Sequence, residues 1–165
     1  MTGTTIVLII TTIAIALITG LWYAYSCSVN PGLGQLSDDR YIASMQAINR
    51  AILNPVFFAT FIGTLALLPL STWLCYGRLS GGQWTLMVIA SIVYFAGVFG
   101  VTVLGNVPLN EALDKFDLAT ASASEINAQR IKFEVSWNRL HAIRTIASMI
   151  SLVLTVVTCM NYSAK

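Results

Sequence analysis

Charge is what this 165-residue chain has least of. Only 10% of its residues are Asp, Glu, Lys or Arg, against about 25% in a soluble domain. The net charge of +2, with no basic stripe, leaves no footprint for a nucleic-acid partner. There is a single histidine, His141, so one chain cannot supply a haem with two histidine ligands or a multi-histidine metal site. Glu111, Asp114 and Glu134 are available carboxylates, but no metal-ligand spacing links them to His141. No metal or organic cofactor is therefore expected. The three cysteines, Cys27, Cys75 and Cys159, form no Cys-x-x-Cys pair, which removes zinc-finger and thioredoxin-type chemistry. Free thiols are expected, with Cys75 and Cys159, at helix ends on one side, as the one pair placed to bridge.

What the chain has instead is apolar length. It is 56% hydrophobic, has a mean hydropathy of +0.76, and carries four apolar runs near the 20 or so residues that cross a bilayer. The expected fold is all-α: a single membrane domain, residues 1–165, built as an integral membrane four-helix bundle. Spans are predicted at about 4–26, 55–77, 83–105 and 136–160. The first run has no basic n-region and is long enough to span, so it is a retained helix rather than a signal peptide. Thr12, Ala16, Gly20 and Ala24 recur every four residues on it, a small-residue face that suits close helix packing or a homo-oligomer. Trp22, Tyr23 and Tyr25 are expected at the membrane interface. Pro31, Gly32 and Gly34 predict a turn.

The two long connections are amphipathic. In segment 37–53, Ser37 is a predicted N-cap, and Tyr41, Ile42, Met45, Ile48, Ile52 and Leu53 recur at helical spacing. In segment 109–134, Pro108 is expected to break the preceding helix or start a short new one, and Ser124 to cap a polar helix. Pro69 predicts a kink in the second span, and Gly97, Gly100 and Gly105 predict close packing of the third. All seven acids and six of the nine bases lie in and around these two connections, at about 27–54 and 107–139; the connections share one end of the bundle, here called the capped end. Both termini and the short turn at 78–82 share the other. The distribution of Lys and Arg favours a cytoplasmic capped end and an outside N-terminus.

The last span carries the chemistry. At 100° per residue, Asn138, His141, Arg144, Thr145, Ser148, Ser151 and Thr155 fall on one arc of about 140°. Lipid solvates such groups poorly, so this face is expected to point into the bundle. Serines and threonines on it read as helix-to-helix glue. Arg144 is different: a guanidinium one to two turns inside a membrane helix needs partners, a route to the interface, or a ligand. Asn49, Asn54, Asn106 and Asn110 end helices at the same mouth, where capping explains Asn54 and Asn106 most directly.

Five motifs occur in order along these spans: Pro31-Gly32-Leu33, Met45-Gln46-Ala47-Ile48-Asn49, Asn54-Pro55, Asn106-x-Pro108-Leu109-Asn110, and Trp137-Asn138-x-x-His141-x-x-Arg144-Thr145. This ordered set, over about residues 12–155, resembles the anthrone oxygenase-like integral membrane proteins. The resemblance implies a four-span fold, a bacterial inner (plasma) membrane location, and oxidation of an anthrone to an anthraquinone by O2 without an organic cofactor. Such chemistry needs a base, an oxyanion partner and a dry pocket. His141 is the expected base. Arg144, with Asn110 and Asn138, is the expected oxyanion partner. Trp137, Asn49 and Asn106 complete the expected substrate site, with Tyr94 and Phe99 as further walls. The ligand would be a flat, apolar phenol or quinol that partitions into lipid. The alternative is a non-enzymatic membrane module that binds a quinone, a lipid or a partner subunit, with Asn110, Asn138 and Arg144 as a structural lock. A transporter fits less well, because the halves show no internal repeat and no mid-membrane carboxylate.

Overall fold

The structure is a computed structural model that describes residues 2–160 and Tyr162. Among them all regular structure is helical. Five helices follow in order: α1 (Gly3–Gly34), α2 (Asp38–Ala51), α3 (Pro55–Leu74), α4 (Gly81–Asp114) and α5 (Ala123–Met160). All but α2 are long and apolar enough to cross a membrane. The four pack as a ring in which α1 touches α3 and α5, and α4 touches α3 and α5. Ile13, Leu17, Leu104 and Val153 face outward, as lipid-facing side chains do in a membrane bundle. Ile15, Ile18, Trp22, Phe61, Leu68, Tyr94 and Val98 form the buried core.

Short and long connections sort the two ends of the ring. Between α3 and α4 the chain turns at Gly77, whose φ of 71° is left-handed and suits glycine. Ser80 and Gln83 then form a reciprocal capping box. At this end Arg78 Nη1 donates to Thr4 Oγ1 at 3.1 Å. Cys75, Cys159, Leu8 and Met87 share one apolar cluster, and all three cysteines are free thiols.

At the capped end three of the helices outlast the membrane. With 32, 34 and 38 residues, α1, α4 and α5 far exceed the roughly 20 needed to span. Their extensions carry α2, which folds over the bundle mouth and buries Tyr41, Ile42 and Met45 against Leu113, Phe133 and Trp137. Gln46 Nε2 donates to Leu113 O at 2.8 Å and Phe116 O at 2.9 Å, satisfying carbonyls that the end of α4 leaves open. Arg130 ties the α1–α2 turn to α5, donating to Gly34 O, Leu36 O and Asp38 while pairing with Glu134.

Asp38 in that clamp accepts from the Asn127 side-chain amide and from Arg130, and these bonds hold its carboxyl below its ordinary value of 3.8. A lowered folded value stabilises above the ordinary value, and that contribution is lost as pH falls through the folded one. Asp38→Asn is therefore expected to flatten the loss of thermal stability between about pH 5 and pH 3, measured by denaturation in detergent.

Several local expectations give way to one device. Helix α1 does not turn at Pro31; a π turn at Tyr25–Val29 carries it through, with the Asn30 N–H donating to Tyr25 O. Nor does Pro108 break α4, since a π turn at Thr102–Asn106 precedes it and the Val107 N–H donates to Thr102 O. The wider turn shifts the hydrogen-bond register just ahead of each proline, whose missing N–H and ring would otherwise break an α-helix. Helix α3 holds Pro69 within its length, where a kink rather than a stop is expected. Ser122, not Ser124, caps α5, exchanging bonds with Glu125. Ser37 occupies the N-cap position of α2 without a side-chain bond to the backbone.

Close packing of α4 on α5 follows the glycines. A Cβ on Gly97 would lie 2.6 Å from Ala147 Cβ, and one on Gly105 would lie 2.8 Å from Leu140 Cδ1. Gly97→Ile is expected to destabilise by about 1–3 kcal/mol through overpacking, read as a lower denaturation midpoint in detergent.

Candidate functional site

The polar arc of α5 faces inward as its spacing predicts: His141, Arg144, Thr145, Ser148, Ser151 and Thr155 are all buried. Its lower part is glue. Ser151 Oγ donates to Ala90 O at 2.8 Å across to α4, and Thr19 Oγ1 of α1 donates to Ser148 O at 3.3 Å. Its upper part is built around Arg144, only 4% exposed. The guanidinium carbon lies 3.9 Å from the centre of the Trp22 ring and 5.0 Å from that of Trp137. Cation–π contact of this kind is worth about 2 kcal/mol or more once water is removed.

His141 supports Arg144 from behind. Arg144 Nε and Nη2 lie 3.3 and 3.2 Å from His141 Nδ1. A guanidinium only donates, so Nδ1 accepts and the imidazole proton sits on Nε2. That Nε2–H faces Ser26 Oγ at 3.0 Å, and the Ser26 hydroxyl donates a hydrogen bond to Trp22 O at 3.1 Å. The Trp137 ring stacks on the imidazole at 5.0 Å and 9°. Trp137 is fixed in turn by Nε1 donating to Asn110 Oδ1 at 2.8 Å. Ser26 reaches this network from the π turn of α1. Asn106 reaches α5 from the π turn of α4. Such turns aim side chains that a regular helix would place elsewhere.

The network leaves a positive charge without a counter-ion. The three ion pairs among the described residues are Arg50–Asp114, Arg130–Asp38 and Arg130–Glu134; none involves Arg144. Arg144 borders an inner cleft of about 60 Å³, together with Trp22, Tyr25, Asn49, Asn110 and Trp137. A volume of that size holds a few waters. Asn49, Leu53, Val107 and Asn110 also line an outer vestibule of about 320 Å³, rimmed by Arg50, Glu111, Asp114 and Lys115. The two spaces therefore share a wall, and the outer one reaches the lower end of the roughly 300–1,000 Å³ usual for small-molecule sites. Grooves of similar volume lie beside Thr5 and Cys159 and beside Pro69 and Trp84, but no charged side chain lines either. No three His, Cys, Asp or Glu side chains converge among the described residues.

A buried, uncompensated arginine beside aromatic walls sits in a stretch with a known pattern: residues 51–154 match the anthrone oxygenase family. The chain belongs to that family. No curated protein and no solved structure matches it.

The residues singled out in this anthrone oxygenase family chain fall into three places. Arg144, Trp137, Asn110 and Asn49 line the inner cleft. His141 and Asn106 stand behind its wall: His141 has both nitrogens engaged, and Asn106 Nδ2 donates to Trp137 O at 3.3 Å. Asn138 lies apart, its Oδ1 accepting from Asn30 Nδ2 at 3.1 Å, while Asn110 Oδ1 accepts from Trp137, so the direct Asn110–Asn138 pair that a structural lock would use is not made. Tyr94 and Phe99 belong to the core rather than to the cleft wall, with the Tyr94 hydroxyl donating to Phe61 O at 2.9 Å. Asn54 caps α3 as its place before Pro55 predicts, accepting from the Phe57 N–H at 3.0 Å.

Trp22 is the residue whose role the sequence reading missed. It is 4% exposed and packs over Arg144 inside the bundle. Its signal was present: Ile15, Ile18 and Trp22 recur at helical spacing on the buried face of α1.

Proposed function

We propose that the protein is a membrane-embedded oxygenase that oxidises a flat, apolar phenolic or quinol-type substrate of the anthrone class with O2. The observation that carries this reading is Arg144: a buried guanidinium between two indole rings, facing a cleft, with no carboxylate partner among the described residues. Holding such a charge in a dry interior is costly. An anionic ligand offsets the cost, and an anthrone becomes one when its ring methylene loses a proton to give the enolate.

Arg144 stabilises that enolate oxygen in the inner cleft, with Asn110 and Asn49 beside it, while Trp22 and Trp137 hold the guanidinium between them. The inner cleft takes only the oxygen-bearing edge; the remaining rings occupy the vestibule, where Glu111 is the carboxylate placed to receive the proton. His141 acts as a positioning residue, holding the guanidinium plane through Nδ1. The anion then reduces O2. One oxygen atom forms a new C–O bond at the former methylene carbon; loss of the second C–H with cleavage of O–O releases water. Anthrone plus O2 gives anthraquinone plus water: the carbon gives up four electrons and O2 takes up four. An apolar substrate reaches the vestibule from the bilayer, and all-helical spans suit a bacterial inner membrane.

The test is oxygen uptake by purified protein in detergent supplied with anthrone, with anthraquinone followed by absorbance. One O2 consumed per anthraquinone formed, above the rate without protein, supports the oxygenase. Tight anthraquinone binding without any turnover would replace it with a quinone-binding module.

A further inference from the structure

Three buried polar side-chain atoms lack a hydrogen-bond partner among the described residues: Trp22 Nε1, Asn49 Nδ2 and Asn106 Oδ1. Buried N–H groups are rarely left this way without a reason. Trp22 and Asn49 both line the inner cleft, whereas Asn106 does not. Together with Arg144, the residues lining the cleft bring two unmet donors and a cation. Asn110 Oδ1 on the same wall already accepts from Trp137 Nε1. Trp22 is 4% exposed, so bulk water does not serve its N–H.

We propose that Trp22 and Asn49 orient the ligand: their unmet N–H groups donate to one of its oxygens in the inner cleft. A quinone-type carbonyl or an enolate oxygen satisfies both N–H groups, and leaving them unmet costs binding. This rests on the oxygenase reading for the ring system and adds the donors that hold its oxygen-bearing edge. Both residues precede the stretch matched to the family, residues 51–154, so these donors are supplied from α1 and α2 while the guanidinium comes from α5.

The test is equilibrium binding under anaerobic conditions to protein in lipid nanodiscs, with empty nanodiscs as reference. The probes are anthraquinone, which has carbonyl acceptors, and anthracene, which has the same three rings and no oxygen. Trp22→Phe keeps a ring face over Arg144 and removes the N–H; Asn49→Leu removes the other donor without touching Trp22. Each is expected to weaken anthraquinone about tenfold and to leave anthracene unchanged. Equal losses for the two probes, no loss for anthraquinone, or no anthraquinone binding to the native protein would overturn the proposal. Because no turnover is involved, a preserved difference between probes alongside absent oxygen uptake would overturn the oxygenase reading alone.

Discussion

Arg144→Met is expected to lower turnover of anthrone by about 10²–10³-fold, mostly in kcat, while the fold stays as stable as the native protein or more so. The two effects have opposite signs for one physical reason. A preorganised cation facing developing negative charge contributes several powers of ten to a rate. The same cation, buried without a counter-ion, is a cost to folding, and replacing buried charge with an apolar side chain of similar length is often neutral or stabilising. Arg144 has no carboxylate among the described residues, so its removal strands no partner charge. Oxygen-uptake kinetics beside a denaturation midpoint in detergent make the check. A variant that loses stability in step with activity would mark Arg144 as a structural lock. Arg144→Lys is expected to recover only part of the rate, because an ammonium cannot lie flat between the Trp22 and Trp137 rings and still bond to His141 Nδ1.

His141→Leu is expected to reduce kcat by about 10–100-fold, with KM changed far less, because a guanidinium that loses its acceptor is free to tilt and small misplacements at a reacting centre are expensive. His141→Asn, which can present an oxygen near the Nδ1 position, is expected to restore most of the rate. This pair separates two roles for the imidazole. As the expected general base, His141 would be no better replaced by Asn than by Leu, and the acid limb of the pH–rate profile would vanish in both variants. As the support for Arg144, it is rescued by Asn and the profile keeps its shape. The geometry favours the second outcome, since Nδ1 is engaged by Arg144 and Nε2 faces Ser26 rather than the cleft.

Membrane class, four spans, the inward polar face of α5 and the amphipathic α2 were all legible in the sequence, because each follows from composition and a period of 3.6 residues. Burial of His141, Arg144, Thr145, Ser148, Ser151 and Thr155 on one face is the direct consequence of that period in a medium that does not solvate them. The ordered motifs sufficed for the family as well, and residues 51–154 bear that out. Where the sequence misled was at the prolines and at Trp22. Pro31 and Pro108 read as punctuation, yet each follows a π turn that widens the helix and lets it continue. Trp22 read only as an interface anchor because it ends an apolar run, and its inward packing over Arg144 went unread because hydropathy carries no information about which way a ring faces.

The sequence alone therefore determined the solvent this protein lives in and the side of α5 that avoids it. Tertiary structure decided what that side meets. Only packing of α1 against α5 brings Trp22 over Arg144 at 3.9 Å. Only the fold of α2 over the mouth brings Asn49 to the same cleft. These contacts join residues far apart in the chain, on helices that do not follow one another, and no local period encodes them. They arise because a buried cation and two buried N–H groups each lack a partner within their own helix and have been gathered by packing around one shared space.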